Sequence, residues 1–359
     1  MKRRSLIRGL GLAALGAGVS KSIAQSDAML MPGEGETHAC TWMGFGVDPR
    51  IWGRQLLPGV EQAIADIANA ISEFEPVRML VEPASAREAS RLLSEKVEQI
   101  PLRLDDIWLR DTGPVFSRRG NELVAIDFNF NGWGGKQQHR HDSKVAARVA
   151  ELAGVERLVS RLCLEGGGLE VDGEGAAVLT ESCILISNRN PGVSRNEAEE
   201  ELSRLLGIEH FVWLPGVAGT DITDGHVDFY ARFGDRGDFL VGLEQDATLP
   251  DFKLTRRHLS LINEIGPIQS RARAVNLLKS PLAVRPGFDS PDFAAGYVGF
   301  YVCNGAVIAP EFGDEKADEE AHEMIAATHP DRELVALNID ALAAGGGSIH
   351  CVTQQQPSV

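Results

Sequence analysis

A chain of 359 residues, with 43% hydrophobic and 24% charged residues, can bury a full core and stand as a self-sufficient globular protein. Its formal net charge of −16 argues against nucleic acid or an anionic membrane as partner and favours small cationic ligands. Five cysteines (Cys40, Cys163, Cys183, Cys303, Cys351) with no CxxC pair exclude a zinc-type ligand spacing, so no metal site is expected.

In chain order, the first segment stands apart. Lys2, Arg3 and Arg4 precede a weakly apolar run, Leu6 to Val19, and Ser22-Ile23-Ala24 supplies the small residues of a cleavage site. The Arg3-Arg4 pair resembles a twin-arginine export signal, and the run is too short and glycine-rich to span a bilayer comfortably. Residues 1–24 are therefore read as a signal peptide, residues 25–359 as one domain, and the destination as periplasmic. Removing the five basic residues of that segment (Lys2, Arg3, Arg4, Arg8, Lys21) takes the charge from −16 to −21. All five cysteines are expected to be free, because this route exports proteins already folded in the reducing cytoplasm.

From Met31 onward, strand-like and helix-like segments alternate, an α/β pattern. Helical spacing covers Glu61 to Phe74 and Lys144 to Leu152. Ser194-x-x-Glu197 predicts a capping box for a helix to about Leu206, stopped by Gly207. Alternation predicts a strand over Val124 to Phe130 and another over His226 to Phe233, the latter placing His226, Asp228, Tyr230 and Arg232 on one face. Asp172-Gly173-Glu174-Gly175 reads as a hairpin turn between Leu169–Val171 and Ala177–Ile186.

Cys351 follows Gly345-Gly346-Gly347-Ser348-Ile349-His350. A lone cysteine is most often a small buried hydrophobe, but three glycines upstream let a substrate approach closely. If the segment is extended, His350 points to the opposite face from Cys351, and His226 becomes the better partner. Gly225-His226-x-Asp228 would then supply an imidazole and a carboxylate. Asp105-Asp106-Ile107-Trp108-Leu109-Arg110-Asp111 is dense in carboxylates beside an aromatic ring, a composition suited to a guanidinium fork. Taken as extended, it sets Asp106, Trp108 and Arg110 on one face and Asp111 at the following turn; a plain strand-end salt bridge is the alternative. Glu165 precedes Gly166-Gly167-Gly168, with no phosphate-loop lysine to suggest a nucleotide.

Together the series HACTWM (His38 to Met43), DDIWLRDTGP, FNFNGWGGK, LEGGG…DGEG…NRNP, GHVDFYARF and GGGSIHCVTQQ resembles the agmatine deiminase and bacterial peptidylarginine deiminase family, from about Met31 to Pro357. The resemblance implies a five-bladed α/β-propeller, or pentein, of ββαβ-type modules and a reaction without metal or organic cofactor. It assigns Cys351 as nucleophile, His226 as acid/base, Asp111 and Asp228 as the carboxylates that clasp the guanidinium, and Glu165 as a further acidic residue. Asp106, Trp108, Trp42 and Arg110 fall among the residues expected to bind substrate. The chain departs from the family at Gly44-Phe45-Gly46, Glu170 and Gly299, which spare the chemical residues but bear on the pocket. Agmatine is the first expected substrate, with free or peptidyl arginine as the alternative. A non-catalytic polyamine-binding protein would not need Cys351 and His226, and one histidine among carboxylates makes a poor zinc hydrolase. A homodimer or higher homo-oligomer is compatible with the sequence.

Overall fold

The computed structural model describes residues 28–235, 237–265, 274–288 and 293–359; the expected signal peptide lies outside them. These residues form a mixed α/β fold of five small sheets. The first joins Met29–Leu30, Val115–Arg119, Glu122–Asp127 and Glu156–Val159; the second, Leu169–Val171, Ala176–Thr180 and His210–Leu214. The third joins Ala231–Phe233, Phe239–Leu243 and Val275–Lys279, and the fourth Tyr301–Cys303, Ala306–Glu311 and Glu333–Asn338. Thr353–Pro357, His38–Phe45, Val77–Val81 and Val97–Pro101 make the fifth.

Each sheet contains an antiparallel pair followed by a parallel pair, so one ββαβ unit recurs. A parallel pair needs a long crossover. Helices Val145–Ala153, Arg195–Leu206, Asp251–Ile265, Glu315–Thr328 and Pro49–Ile71 fill those crossovers in turn. The fifth unit is assembled from distant parts of the chain, because Thr353–Pro357 pairs with His38–Phe45. That pairing brings Cys351 back beside the segment that holds Glu34.

Local signals explain the helix ends. Ser194 and Glu197 cap each other reciprocally, and Gly207, at φ 69°, ends the helix where a side chain would be strained. The first helix begins earlier than its spacing suggests, at Pro49, because the Asp48 side chain accepts from the Arg50 N–H. The strand expected through Phe130 stops at Asp127, whose carboxylate takes the N–H of Asn129 while Asn129 turns left-handed at φ 57°. Both of its faces are covered: Val124 and Ile126 pack with Leu169 and Leu202, and Leu123 and Ala125 pack with Trp42 and Val149. After the expected hairpin, the second strand ends at Thr180 and Glu181–Ile184 is helical.

Three segments expected to be extended are instead tightly turned, and all three carry candidate residues. Val227–Phe229 is a 3-10 turn and only Ala231–Phe233 is a strand, so His226, Asp228 and Arg232 do not share a strand face. Asp224 and Gly225 adopt φ of 64° and 88°, and the Thr223 hydroxyl accepts the N–H groups of Gly225 and His226, which bends the chain there. Leu109–Thr112 is a helical turn, which breaks the proposed row of Asp106, Trp108 and Arg110. His350–Val352 is a 3-10 turn stabilised by the Thr353 hydroxyl, which donates to the carbonyls of Ile349 and His350.

Candidate active site

The centre of the site is a place with no side chain. A β-carbon on Gly167 would lie 2.6 Å from His226 Nδ1, 3.0 Å from Asp111 Oδ1 and 3.0 Å from Asp228 Oδ2. Three charged side chains from two separate turns, Leu109–Thr112 and the one His226 opens at Val227–Phe229, therefore converge where glycine lets the backbone in. The Gly167 N–H also donates to Asp111 Oδ1 at 3.2 Å.

His226 is buried between two carboxylates, with Nε2 3.1 Å from Glu165 and Nδ1 3.7 Å from Asp111. Burial opposes a charged imidazole, but the negative charges of Asp111, Glu165 and Asp228 outweigh it and raise the His226 pKa to about 9. The ring is thus an imidazolium at neutral pH. For Asp111, burial raises the carboxyl, His226 opposes, and the charges of Glu165 and Asp228 add, leaving it at about 6. Asp228 lies below the ordinary carboxylate range: burial would raise it, but the His350 hydrogen bond and charge prevail.

Cys351 is partly exposed, whereas the other four cysteines are buried and free. Burial pushes the thiols of Cys40, Cys163 and Cys183 up to about 12, and that of Cys303 up as well, which leaves them poor nucleophiles. The Cys351 thiol is also raised well above its ordinary value, first by desolvation and then by the charges of Asp228 and Asp111. The Ser348 N–H and the Arg110 charge act the other way. A cation placed between these two aspartates would remove the cause of the electrostatic part of that shift.

The surrounding residues hold this cluster in place. Glu165 is fully buried and accepts Arg189 Nε at 2.8 and 2.9 Å as well as His226 Nε2, so its carboxylate is committed to orienting the imidazole. Arg189 continues to Asp224 at 2.7 Å, and Lys136 reaches the other Asp224 oxygen at 2.7 Å. Trp133 Nε1 donates to Asp111 Oδ2 at 2.9 Å. To do so Trp133 occupies the left-handed region at φ 54°, between Gly132 and Gly134, a conformation that costs on the order of 1–3 kcal/mol and concentrates at functional sites. Arg189 and Trp133 carry no assignment from the sequence alone, although they lie in the NRNP and FNFNGWGGK motifs; the glycine-flanked tryptophan of NGWGG is the available signal.

Four other candidates have different engagements. Asp106 accepts Trp52 Nε1, Trp108 Nε1, Gln137 Nε2 and the Ile107 N–H, which fixes a stacked Trp52–Trp108 pair and leaves its carboxylate saturated. Trp108 packs against Gly347, four residues before Cys351, where a β-carbon would come within 2.3 Å of the ring. Trp42 has no exposed surface, donates to Gln356 and stacks under the Arg78 guanidinium. Arg110 is buried and bonds Glu34, Gln355 and the His350 carbonyl. A cavity of about 720 Å³ lined by Glu34, Glu170, Phe233, Asp235 and Arg332 contains neither Cys351 nor His226, so its size does not mark the chemistry.

Residues 30–357 match the model of the Porphyromonas-type peptidyl-arginine deiminase family. The chain belongs to this family. Among its relatives, the agmatine deiminase of Medicago truncatula is 33% identical over 361 residues, covering 92% of this chain and 96% of the relative. That of Ectopseudomonas mendocina is 32% identical over 358 residues, covering 93% and 97%. The solved structure of the Enterococcus faecalis agmatine deiminase superposes with a TM-score of 0.86 at 29% identity, covering 93% of this chain and 97% of that one.

Proposed function

We propose that this protein is an agmatine deiminase that works through a cysteine-bound intermediate. The observation that carries this is the convergence of His226, Asp111 and Asp228 on Gly167 beside the one partly exposed thiol, Cys351. Two carboxylates clasp the planar guanidinium, whose fork of N–H donors matches them. The bound cation offsets the two aspartates, and the Cys351 thiol releases its proton to solvent. The thiolate attacks the guanidinium carbon, and the His226 imidazolium protonates one amino group so that it leaves as neutral ammonia. Water then adds to the resulting thiouronium as neutral His226 takes its proton, and collapse expels the thiolate and gives the ureido product.

Agmatine is favoured over arginine by the charges near the site. Arg110, Arg189, Arg232 and Lys136 are each paired with carboxylates. None of these four is free to take the carboxylate of an arginine substrate. The family name and the export-type first segment favour peptidyl arginine, which is the second reading. We infer further that the chain is exported to the periplasm and that the five ββαβ units are blades of an α/β-propeller. Their repetition supports the latter. Ammonia release from agmatine, arginine and an arginine peptide, measured side by side, tests the function. Agmatine should be preferred and Cys351→Ser should abolish turnover; no ammonia from any of the three would overturn a deiminase.

A further inference from the structure

His350 is adjacent to the nucleophile yet turned away from it. Its Nδ1 lies 2.7 Å from Asp228 Oδ2 and its Nε2 lies 2.9 Å from Glu34 Oε2. Both carboxylates lie below the ordinary range despite burial, so both are ionised and can only accept. Each ring nitrogen of His350 thus faces a carboxylate acceptor. Glu34 in turn is held from every side: Arg232 and the Val302 N–H bond one oxygen at 2.7 and 2.9 Å, and Arg110 shares the other with His350 at 3.0 Å. Arg232 also pairs with Glu170, and Arg110 donates to the His350 carbonyl.

Asp228 has particular need of this bridge. The imidazolium of His226 has its nitrogens facing Glu165 and Asp111. Without His350, a buried Asp228 beside Asp111 and Glu165 would share their repulsion and take up a proton. We propose that His350 is a positioning residue, the centre of a Glu34–His350–Asp228 bridge that holds the Asp228 carboxylate aimed at the guanidinium. The proposal rests on the deiminase reading for its functional consequence and on geometry alone for the bridge. The groups that face His350 are Glu34, Asp228 and Arg110, with Arg232, Glu170 and His226 behind them.

The test compares pH profiles of kcat/KM for agmatine in the wild type, His350→Asn and Glu34→Gln. His350→Asn should lose about 10- to 100-fold at neutral pH, recover as the pH rises, and carry its acid limb upward by about one unit or more. Glu34→Gln should move the limb in the same direction by less. A loss that is constant across pH, or no loss, overturns the proposal, since a merely structural role would not move the limb. Should either variant not fold, nitrogen-15 spectra of the wild-type imidazoles decide: His350 Nδ1 should be protonated and hydrogen-bonded toward Asp228, and an unprotonated Nδ1 overturns the bridge. A wild type that acts on no guanidine would sink the deiminase reading, while the same spectra would still decide the bridge.

Discussion

Gly167→Ala isolates the geometry of the site from its chemistry, because it removes no functional group. The backbone at Gly167 is not left-handed, so alanine is allowed there. The added carbon meets His226 Nδ1 at 2.6 Å, whereas ordinary contact begins near 3.4 Å, so the ring must retreat by about 0.8 Å. It cannot swing freely, since Glu165 holds the far nitrogen at 3.1 Å. Misplacement by about 1 Å costs roughly 100-fold in rate, and kcat/KM for ammonia release should fall by about that factor. Gly168→Ala provides the contrast. Its carbon meets Cys183 Sγ at 3.1 Å and Leu164 at 3.3 Å but stays 3.8 Å from His226. Overpacking that apolar wall should lower stability by about 1–3 kcal/mol with little effect on rate. Thermal melts and steady-state kinetics on the two variants separate the effects. If Gly167→Ala kept wild-type activity, or if Gly168→Ala were the one to lose it, the convergence on Gly167 would not be the active centre.

Three further outcomes follow from the charges. The pH profile of kcat/KM should be bell-shaped: activity falls below about 6 as Asp111 gains a proton and loses its hold on the cation, and above about 9 as His226 loses the proton it gives to ammonia. A profile still rising well above pH 9 would contradict the His226 assignment. Asp111→Asn should speed iodoacetamide alkylation of Cys351 at neutral pH by roughly tenfold while deiminase activity collapses, because a negative charge near the thiol is gone. Arg189→Met removes the guanidinium shared by the buried Glu165 and Asp224, leaving them only His226 and Lys136 as charged partners, and urea denaturation should show a loss of about 3–5 kcal/mol.

Residue identity was more legible in the sequence than backbone path. The capping box at Ser194 and the stop at Gly207 depend on contacts within a few residues, and the structure has both. Strand alternation misled at His226–Phe233, because Asp224 and Gly225 turn the chain left-handed and the following Val227–Phe229 closes a 3-10 turn, while Val227, Ala231 and Phe233 still reach one core cluster. The exclusion of His350 as partner of Cys351 assumed an extended segment. The segment is a 3-10 turn, and what engages the ring is a pair of carboxylates at 2.7 and 2.9 Å. Those carboxylates lie 122 and 316 residues away in sequence, beyond any local pattern. Arg189 and Trp133 were hidden for the same reason: Arg189 matters through its bonds to Glu165 and Asp224, and Trp133 through its bond to Asp111, all beyond local spacing. Asp106 and Arg110 attracted attention as charges near an aromatic ring, and both are saturated by partners that spacing does not reveal.

The acidic pocket poses a problem for thiol chemistry that its partner charges resolve. A nucleophilic cysteine ordinarily sits near positive charge, yet Cys351 faces Asp111 and Asp228, and both disfavour the thiolate. Moving the aspartates away would free the thiol but would also remove the clasp for the guanidinium. The imidazolium of His226 is already committed to Glu165 and Asp111, and the His350 ring is enclosed by Glu34 and Asp228. The charge still missing is the one the substrate brings. In the proposed reaction a guanidinium seated between the aspartates would both fill the clasp and lift the penalty on the thiolate, so the nucleophile would form where and when its target is bound. In the empty site burial, and then the same carboxylates, disfavour the Cys351 thiolate, which protects the one cysteine that is not fully buried from adventitious alkylation or oxidation.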